Sequence, residues 1–244
     1  MRCLSGRRGE RHRAAFMELP IFNDNLKSSA SWHQSLARAQ SAWEPTHNSA
    51  AMRDEQVQQL AQRAGLQDDP QAKAGLRDAA QLVSDWAGEP EAKFTLERLL
   101  SLQRTLTGAA EDADVLRKTE PLPLNAVHDP TPALLLPRML DNAFDWFATE
   151  GFAEMHAVEQ AAVVFLRLLD LHPFPQFSEI TALLAASFYT ERAGLPLLFV
   201  FNDEVTLQRY AIAVETAFRM LTQPLVEFFA EMLTRAMQVG VAEE

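Results

Sequence analysis

The residues best suited to chemistry lie in a short polar segment at positions 171–181, which reads LHPFPQFSEIT. Its histidine, His172, has a side chain that titrates near neutrality and could act as a general base on a substrate hydroxyl. His172 could equally be a turn residue whose ring hydrogen-bonds a carbonyl at a helix end, and the sequence leaves both roles open. Ser178 and Glu179 are typical of an N-cap and a first-turn acid, so we expect a helix to begin there.

The segments on both sides of this turn are expected to be buried helices. Residues 156–171 are apolar on nearly every face, which predicts the central helix of the core. A second helix is expected over 181–193, because glycine and proline follow it. Apolar spacing predicts further helices over 31–43, 51–64, 71–86, 95–105, 133–148, 202–221 and 224–237. No segment alternates as a strand does, so the predicted fold class is all-α.

The segment 108–132 is the least helical part of the sequence. It contains four prolines, at positions 121, 123, 130 and 132. Proline removes a backbone donor and disfavours both helix and central strand. The segment therefore predicts either a long connection or a short β-hairpin flap.

Four parts of the chain are predicted from composition. Residues 1–16 carry five arginines and no apolar stretch follows them. We expect a disordered basic tail there, or translation that starts at Met17 instead of Met1. Residues 17–94 are predicted as an N-terminal helical segment, residues 95–236 as the core, and residues 237–244 as a second tail.

Composition excludes several classes of function. The 244 residues are 48% hydrophobic, enough for a sizeable core, and the net charge of -11 without a basic stripe argues against nucleic-acid binding. Cys3 is the single cysteine, which excludes an internal disulfide and a cysteine metal cluster and favours a cytoplasmic setting. No apolar run reaches transmembrane length, so we expect no membrane span. The oligomeric state stays open.

The order of these elements resembles the Fic (Fido) family. The resemblance rests on the His172-Pro173-Phe174 turn between two helices, and it extends to the flanking segments 139–147, 156–162 and 208–214. It covers roughly residues 95–236. It implies an all-α Fic-like helical bundle around a central buried helix, and in relatives a β-hairpin flap aligns the target protein.

The family's motif is only half kept. Its pattern continues after His-Pro-Phe with a variable residue, an acid, Gly-Asn-Gly-Arg, two variable residues and a second arginine. The acid is replaced by Gln176 and the two arginines by Ile180 and Leu183. The loop that would bind an anion reads Phe177, Ser178 and Glu179.

The resemblance implies transfer of AMP from ATP to a protein hydroxyl, with His172 as general base and Mg²⁺ on the acid. Here the metal-binding acid and both arginines are missing. Two unit charges about 4 Å apart repel by roughly 4 kcal/mol at an effective dielectric of about 20. We therefore expect Glu179 to repel phosphate, and we expect no metal site. ATP and Mg²⁺ would be cofactors only if the family's activity survives.

A second correspondence concerns regulation. Many Fic proteins carry an inhibitory helix whose glutamate pairs with the second motif arginine. The segment 40–45 reads QSAWEP and resembles that helix, with Ser41 and Glu44 kept. Its partner position is Leu183, so the resemblance implies a vestigial inhibitory helix; a plain solvent-facing helix end is the alternative.

Two functions of different classes follow. The first is a pseudoenzyme that lacks transferase activity and serves as a binding or interaction module for a protein partner. The second is an active transferase with an altered nucleotide pose or chemistry that still uses His172 as its base. A decaying gene product with no selected site is a third possibility.

Overall fold

Ten α-helices form the described part of the chain. The structure is a computed structural model, and it describes residues 30–43 and 50–242. The helices are α1 (Ala30–Ala42), α2 (Ala50–Arg63), α3 (Pro70–Gly88), α4 (Leu96–Thr107), α5 (Leu136–Phe147), α6 (Glu150–Ala153), α7 (Ala157–Leu171), α8 (Ser178–Arg192), α9 (Glu204–Phe218) and α10 (Gln223–Ala242). The predicted tail 1–16 and Glu44 lie outside the described residues.

The all-α fold class is confirmed, since no strand forms within these two ranges. Residues 108–132 run as a long connection, and only a short 3-10 turn, Ala133–Leu135, precedes α5. The alternative of a β-hairpin flap is therefore wrong for this segment. None of the helices in the described ranges is both long and apolar enough to cross a bilayer.

Helices α7 and α8 form the centre of the core. Nearly every residue of α7 from Val158 to Leu171 is buried, as the apolar pattern predicts. In α8 every residue from 180 to 190 is buried, because small and apolar side chains occupy all of its faces. The two helices pack against each other along their length, with α3 and α4 on α8 and with α5, α9 and α10 on α7. This pair therefore presents the 172–177 turn at one end of the bundle.

The contact between α3 and α4 depends on one glycine. A Cβ atom added to Gly75 would lie 2.8 Å from the Leu106 carbonyl oxygen and 3.1 Å from that of Thr105. Both neighbours are backbone atoms, which cannot turn away as a side chain can. Glycine at this position thus lets the two helices approach closely before they pack on α8.

We expect Gly75→Ala to destabilise the protein by about 1–3 kcal/mol, although alanine is the better helix former. The methyl group would push α3 away from α4. Gly151→Ala is the matched control, because its added Cβ meets no atom within 4 Å. Urea unfolding measures both variants, and equal stability of the two would show that the close approach is not needed.

The start of α7 depends on an unprotonated histidine. His156 Nδ1 accepts a hydrogen bond from the Val158 N–H at 3.2 Å, and the His156 N–H donates to Glu159 at 3.0 Å. Partial desolvation of the ring and the neighbouring His33, whose ring centroid lies 5.2 Å away, hold the pKa of His156 below its ordinary value of 6.5. Because the unfolded chain binds a proton on His156 more readily than the folded protein does, the free energy of unfolding decreases as the pH falls below about 6.5.

The pH dependence tests this cap. His156→Asn keeps a side-chain acceptor at the N-cap but removes the titrating ring. We expect the loss of stability between pH 7.5 and pH 5.5 to be shallower in the variant than in the wild type. Denaturant midpoints at each pH measure the difference, and parallel curves would contradict this role of His156.

Candidate functional site

A buried arginine holds the turn that carries His172. Arg117 is 4% exposed, and its Nε donates to the His172 carbonyl at 2.7 Å. Its Nη2 donates to the Leu171 carbonyl at 3.2 Å and to the Thr131 carbonyl. Its backbone N–H donates to the Pro173 carbonyl at 2.9 Å. One side chain therefore satisfies the carbonyls that α7 leaves unpaired at its end.

Two polar side chains close the other half of the turn. The Ser178 hydroxyl accepts from the Phe174 N–H at 3.0 Å and donates to the Phe174 carbonyl at 2.9 Å. Gln103 of α4 is buried, donates to the Gln176 carbonyl at 3.0 Å and accepts from the Thr181 hydroxyl at 2.6 Å. Phe174 is fully buried, as expected for the residue that anchors the turn.

The N-cap predicted at Ser178 is wrong by one residue, and the helix predicted over 181–193 begins three residues earlier than expected. Helix α8 begins at Ser178 and its N-cap residue is Phe177, whose side chain makes no capping hydrogen bond. Ser178 is therefore not an N-cap, because its hydroxyl is used to close the turn on Phe174. Glu179 does lie in the first turn, as predicted.

His172 is the C-cap of α7 and has left-handed backbone angles, φ 44° and ψ 60°. The ring is half-buried, and its Nδ1 atom is fully buried without a hydrogen-bond partner among the described residues. Burial, helped by the charge of Arg117, lowers the pKa of His172 below its ordinary value. The lowered pKa favours the neutral imidazole at pH 7.

The segment that corresponds to the family's anion loop contains one left-handed residue and a buried helix start. Phe177 stands at the first glycine of the pattern and has a left-handed φ of 58°. That conformation costs a non-glycine residue about 1–2 kcal/mol. Ile180 and Leu183, at the two arginine positions, are 3% and 0% exposed and belong to the core.

Glu179 is held by two residues that the sequence did not single out. Its Oε1 accepts from Arg63 Nε at 2.7 Å, from Arg63 Nη2 at 2.5 Å and from the Tyr210 hydroxyl at 2.6 Å. The guanidinium also lies over the Tyr210 ring, 4.3 Å from its centroid. Burial and the Glu179 carboxylate raise the pKa of Tyr210 well above its ordinary value, so its hydroxyl remains a donor.

This cluster of Arg63, Glu179 and Tyr210 corrects the predicted repulsion. A lone carboxylate would repel phosphate by several kcal/mol, but Arg63 compensates its charge. The carboxylate instead ties the first turn of α8 to Arg63 of α2 and Tyr210 of α9. In the absence of an acid at Gln176 the residues do not fit Mg²⁺, and in the described ranges no three His, Cys, Asp or Glu side chains come together as a metal site.

The remaining predicted residues lie apart from this cluster. Ser41 is exposed near the end of α1, and its hydroxyl donates to the Arg38 carbonyl at 2.8 Å. Helix α1 packs on α10. The residue from the N-terminal helices that reaches the motif is Arg63, at the end of α2. Local sequence carries no signal for this pairing, because 116 positions separate Arg63 from Glu179.

Two curated relatives resemble this chain, although no family model matches it. The uridine 5'-monophosphate transferase of Xanthomonas campestris is 29% identical over 208 residues, which is 78% of this chain and 38% of the relative. The protein adenylyltransferase Fic of Nematostella vectensis is 22% identical over 169 residues, or 69% of this chain and 39% of the relative. The chain therefore spans less than half the length of either relative.

Solved structures share the fold. Fic-1 from C. elegans superposes with a TM-score of 0.66 at 17% identity, over 88% of this chain and 71% of that one. A Fic domain signaling protein from Bacteroides thetaiotaomicron gives 0.65 at 14% identity, over 87% and 94%. IbpAFic2 in complex with adenylylated Cdc42 gives 0.61 at 15% identity, over 89% and 72%. The chain has the fold of Fic domain proteins, which confirms the predicted resemblance.

A double-mutant cycle tests the cluster at the start of α8. Arg63→Gln and Glu179→Gln should each destabilise the protein, and their effects should be coupled by roughly 1–2 kcal/mol, because each leaves the other charge unpaired. Tyr210→Phe is the matched control, since it removes one hydrogen bond and no formal charge. Additive effects in urea unfolding would show that the pair does not hold α2 to α8.

Proposed function

We propose that this chain is a Fic-fold protein, related to protein nucleotidyl transferases, in which nucleotidyl transfer is absent or strongly reduced and which serves to bind a protein partner. The observation that carries the proposal is the cluster of Arg63, Glu179 and Tyr210 at the start of α8. A phosphate that approached the first turn of α8 would meet a carboxylate held in place by three hydrogen bonds, and it would have to compete with that carboxylate for Arg63.

The core supports the same conclusion. Ile180 and Leu183 are packed among core residues. Arginines at these two positions would therefore place their charges in the core, where they could not bind a phosphate. Gln176 can offer Mg²⁺ an oxygen but no charge. His172 could still accept a proton from a substrate hydroxyl. Without a bound nucleotide, however, there is no phosphorus atom for that hydroxyl to attack.

A protein partner is proposed from the relatives and from the surface. One structural neighbour is bound to adenylylated Cdc42. In this chain the connection before α5 exposes four leucines, with Leu122 86% and Leu134 90% accessible. Arg117 joins this connection to the His172 turn. The low cysteine content supports a reducing, cytoplasmic setting as part of the proposal.

A second candidate is an active transferase with an altered nucleotide pose. It is favoured by the neutral, half-buried His172 and by the Arg63 guanidinium, which would become a phosphate ligand if Glu179 turned away. A relative at 29% identity transfers uridine monophosphate, so UTP is as relevant a donor as ATP. ATP or UTP with Mg²⁺ would then be the required cofactor.

Thermal unfolding with nucleotides separates the two candidates. We expect the wild type to show no shift of its midpoint in 5 mM ATP or UTP with Mg²⁺ or Mn²⁺. A ligand present at 100 times its dissociation constant would stabilise the fold by about 2.7 kcal/mol, which is easily seen.

Two variants make this measurement decisive. Glu179→Gln frees Arg63 and should give a larger nucleotide shift than the wild type if the carboxylate is what occupies the site. His172→Ala should leave the wild-type result unchanged. A shift in the wild type, followed by labelled nucleotide transfer that His172→Ala abolishes, would replace the proposed function with the second candidate.

A further inference from the structure

A second concave site lies at the far end of the α7–α8 pair. It is a cleft of about 750 Å³ between α5, α6, the end of α8 and the segment 91–96. Tyr189 of α8 is on its wall, 11 residues after Ser178, which is about 16 Å along a helix. The cleft therefore lies apart from His172 and from the cluster around Glu179.

The walls of the cleft are built from aromatic rings that contact one another in a closed circuit. Neighbouring ring centroids lie between 5.2 and 6.2 Å apart around it. In order, the six rings are Phe94, Phe144, Phe147, Phe152, Tyr189 and Phe188. All six line the cleft. Such walls favour a flat, aromatic guest, because stacked and edge-on contacts add to simple burial.

One polar group in this wall is available to a ligand. Tyr189 lines the cleft, and its hydroxyl makes no hydrogen bond within the part of the chain that the structure describes. The hydroxyl is not among the fully buried side-chain atoms, so a molecule in the cleft can reach it. Burial raises the pKa of Tyr189 above its ordinary value, so the group stays a neutral phenol that can donate. Gln160, also on the wall, donates to the Phe152 carbonyl at 2.8 Å and keeps its amide oxygen as an acceptor.

The charges around the mouth of the cleft are mixed. Lys93 and Arg192 are cationic, and the three acids are Glu91, Asp145 and Glu150. Arg192 is already engaged, because its guanidinium donates to the Ala92 carbonyl and lies 5.7 Å from the Phe188 ring centroid. The electrostatic potential at the mouth is therefore mixed and does not favour a ligand of either charge.

We propose that this cleft binds a small, planar, uncharged heteroaromatic molecule, stacked among the six rings and hydrogen-bonded to the Tyr189 hydroxyl. Its volume falls in the usual range for small-molecule sites. The aromatic walls select a flat ring system, and the phenol selects a ring that carries an acceptor. The site does not depend on nucleotide binding at the start of α8.

Adenine is a suitable probe, because it is planar, neutral at pH 7 and rich in acceptors. We expect it to bind the full chain with a dissociation constant in the millimolar range, measured by saturation-transfer NMR titration. Tyr189→Phe should weaken adenine binding roughly three- to tenfold, because it removes one hydrogen bond and keeps the ring. Toluene, which cannot accept a hydrogen bond, should bind the wild type and Tyr189→Phe equally.

Two further variants keep the test independent of folding. Ala153→Trp fills the cleft from an exposed position on α6 and should abolish binding of both probes. Val205→Ala, at an exposed position of α9 that does not line the cleft, should change neither. The proposal is overturned if adenine does not bind at 5 mM, if Tyr189→Phe binds it as well as the wild type, or if Val205→Ala weakens it as much as Tyr189→Phe does.

Discussion

The candidate site depends on the hydrogen bonds of one buried guanidinium, that of Arg117. Arg117 is almost completely buried, so each of its N–H groups must find an acceptor or cost the fold stability. It finds them in the carbonyls of Leu171, His172, Thr119 and Thr131. Those carbonyls belong to the end of α7 and to the connection before α5. A single side chain thus fixes the left-handed cap at His172 and holds the exposed leucines of the connection beside it.

The two ends of the α7–α8 pair have opposite characters. At the His172 end, Arg117, Ser178 and Gln103 pair the main-chain groups of the turn, and Arg63 and Tyr210 hold Glu179. The Nδ1 atom of His172 is the exception, since it is buried without a partner among the described residues. At the far end, aromatic rings line a cleft to which the Tyr189 hydroxyl is open. The first end is therefore filled by contacts within the protein, whereas the second is the concave surface for which we propose a ligand.

Much of the fold was predictable from local patterns. The apolar runs that become α7 and α8 are long and bounded by Gly, Pro and His, so their helices and burial follow from composition. The resemblance to Fic proteins is confirmed by the fold. The N-cap of α8 was misplaced because the Ser178 hydroxyl hydrogen-bonds Phe174 instead of capping the helix. Helix propensity does not predict such a contact. The hairpin alternative for 108–132 was wrong because the side chains of Arg117 and His128 bind carbonyls at the end of α7, and this holds the segment as an extended connection without strand pairing.

The sequence by itself determined the helices, the buried centre and the residue types that follow the His172 turn, because residue types and their spacing carry that information. Only the tertiary structure decided what those residues contact. Arg63 and Tyr210 reach Glu179 from positions 116 and 31 residues away, and Phe94 closes the aromatic circuit from a different part of the chain than Tyr189. Such contacts depend on how helices pack, and packing is set by the fit of whole surfaces, which no local window of sequence records.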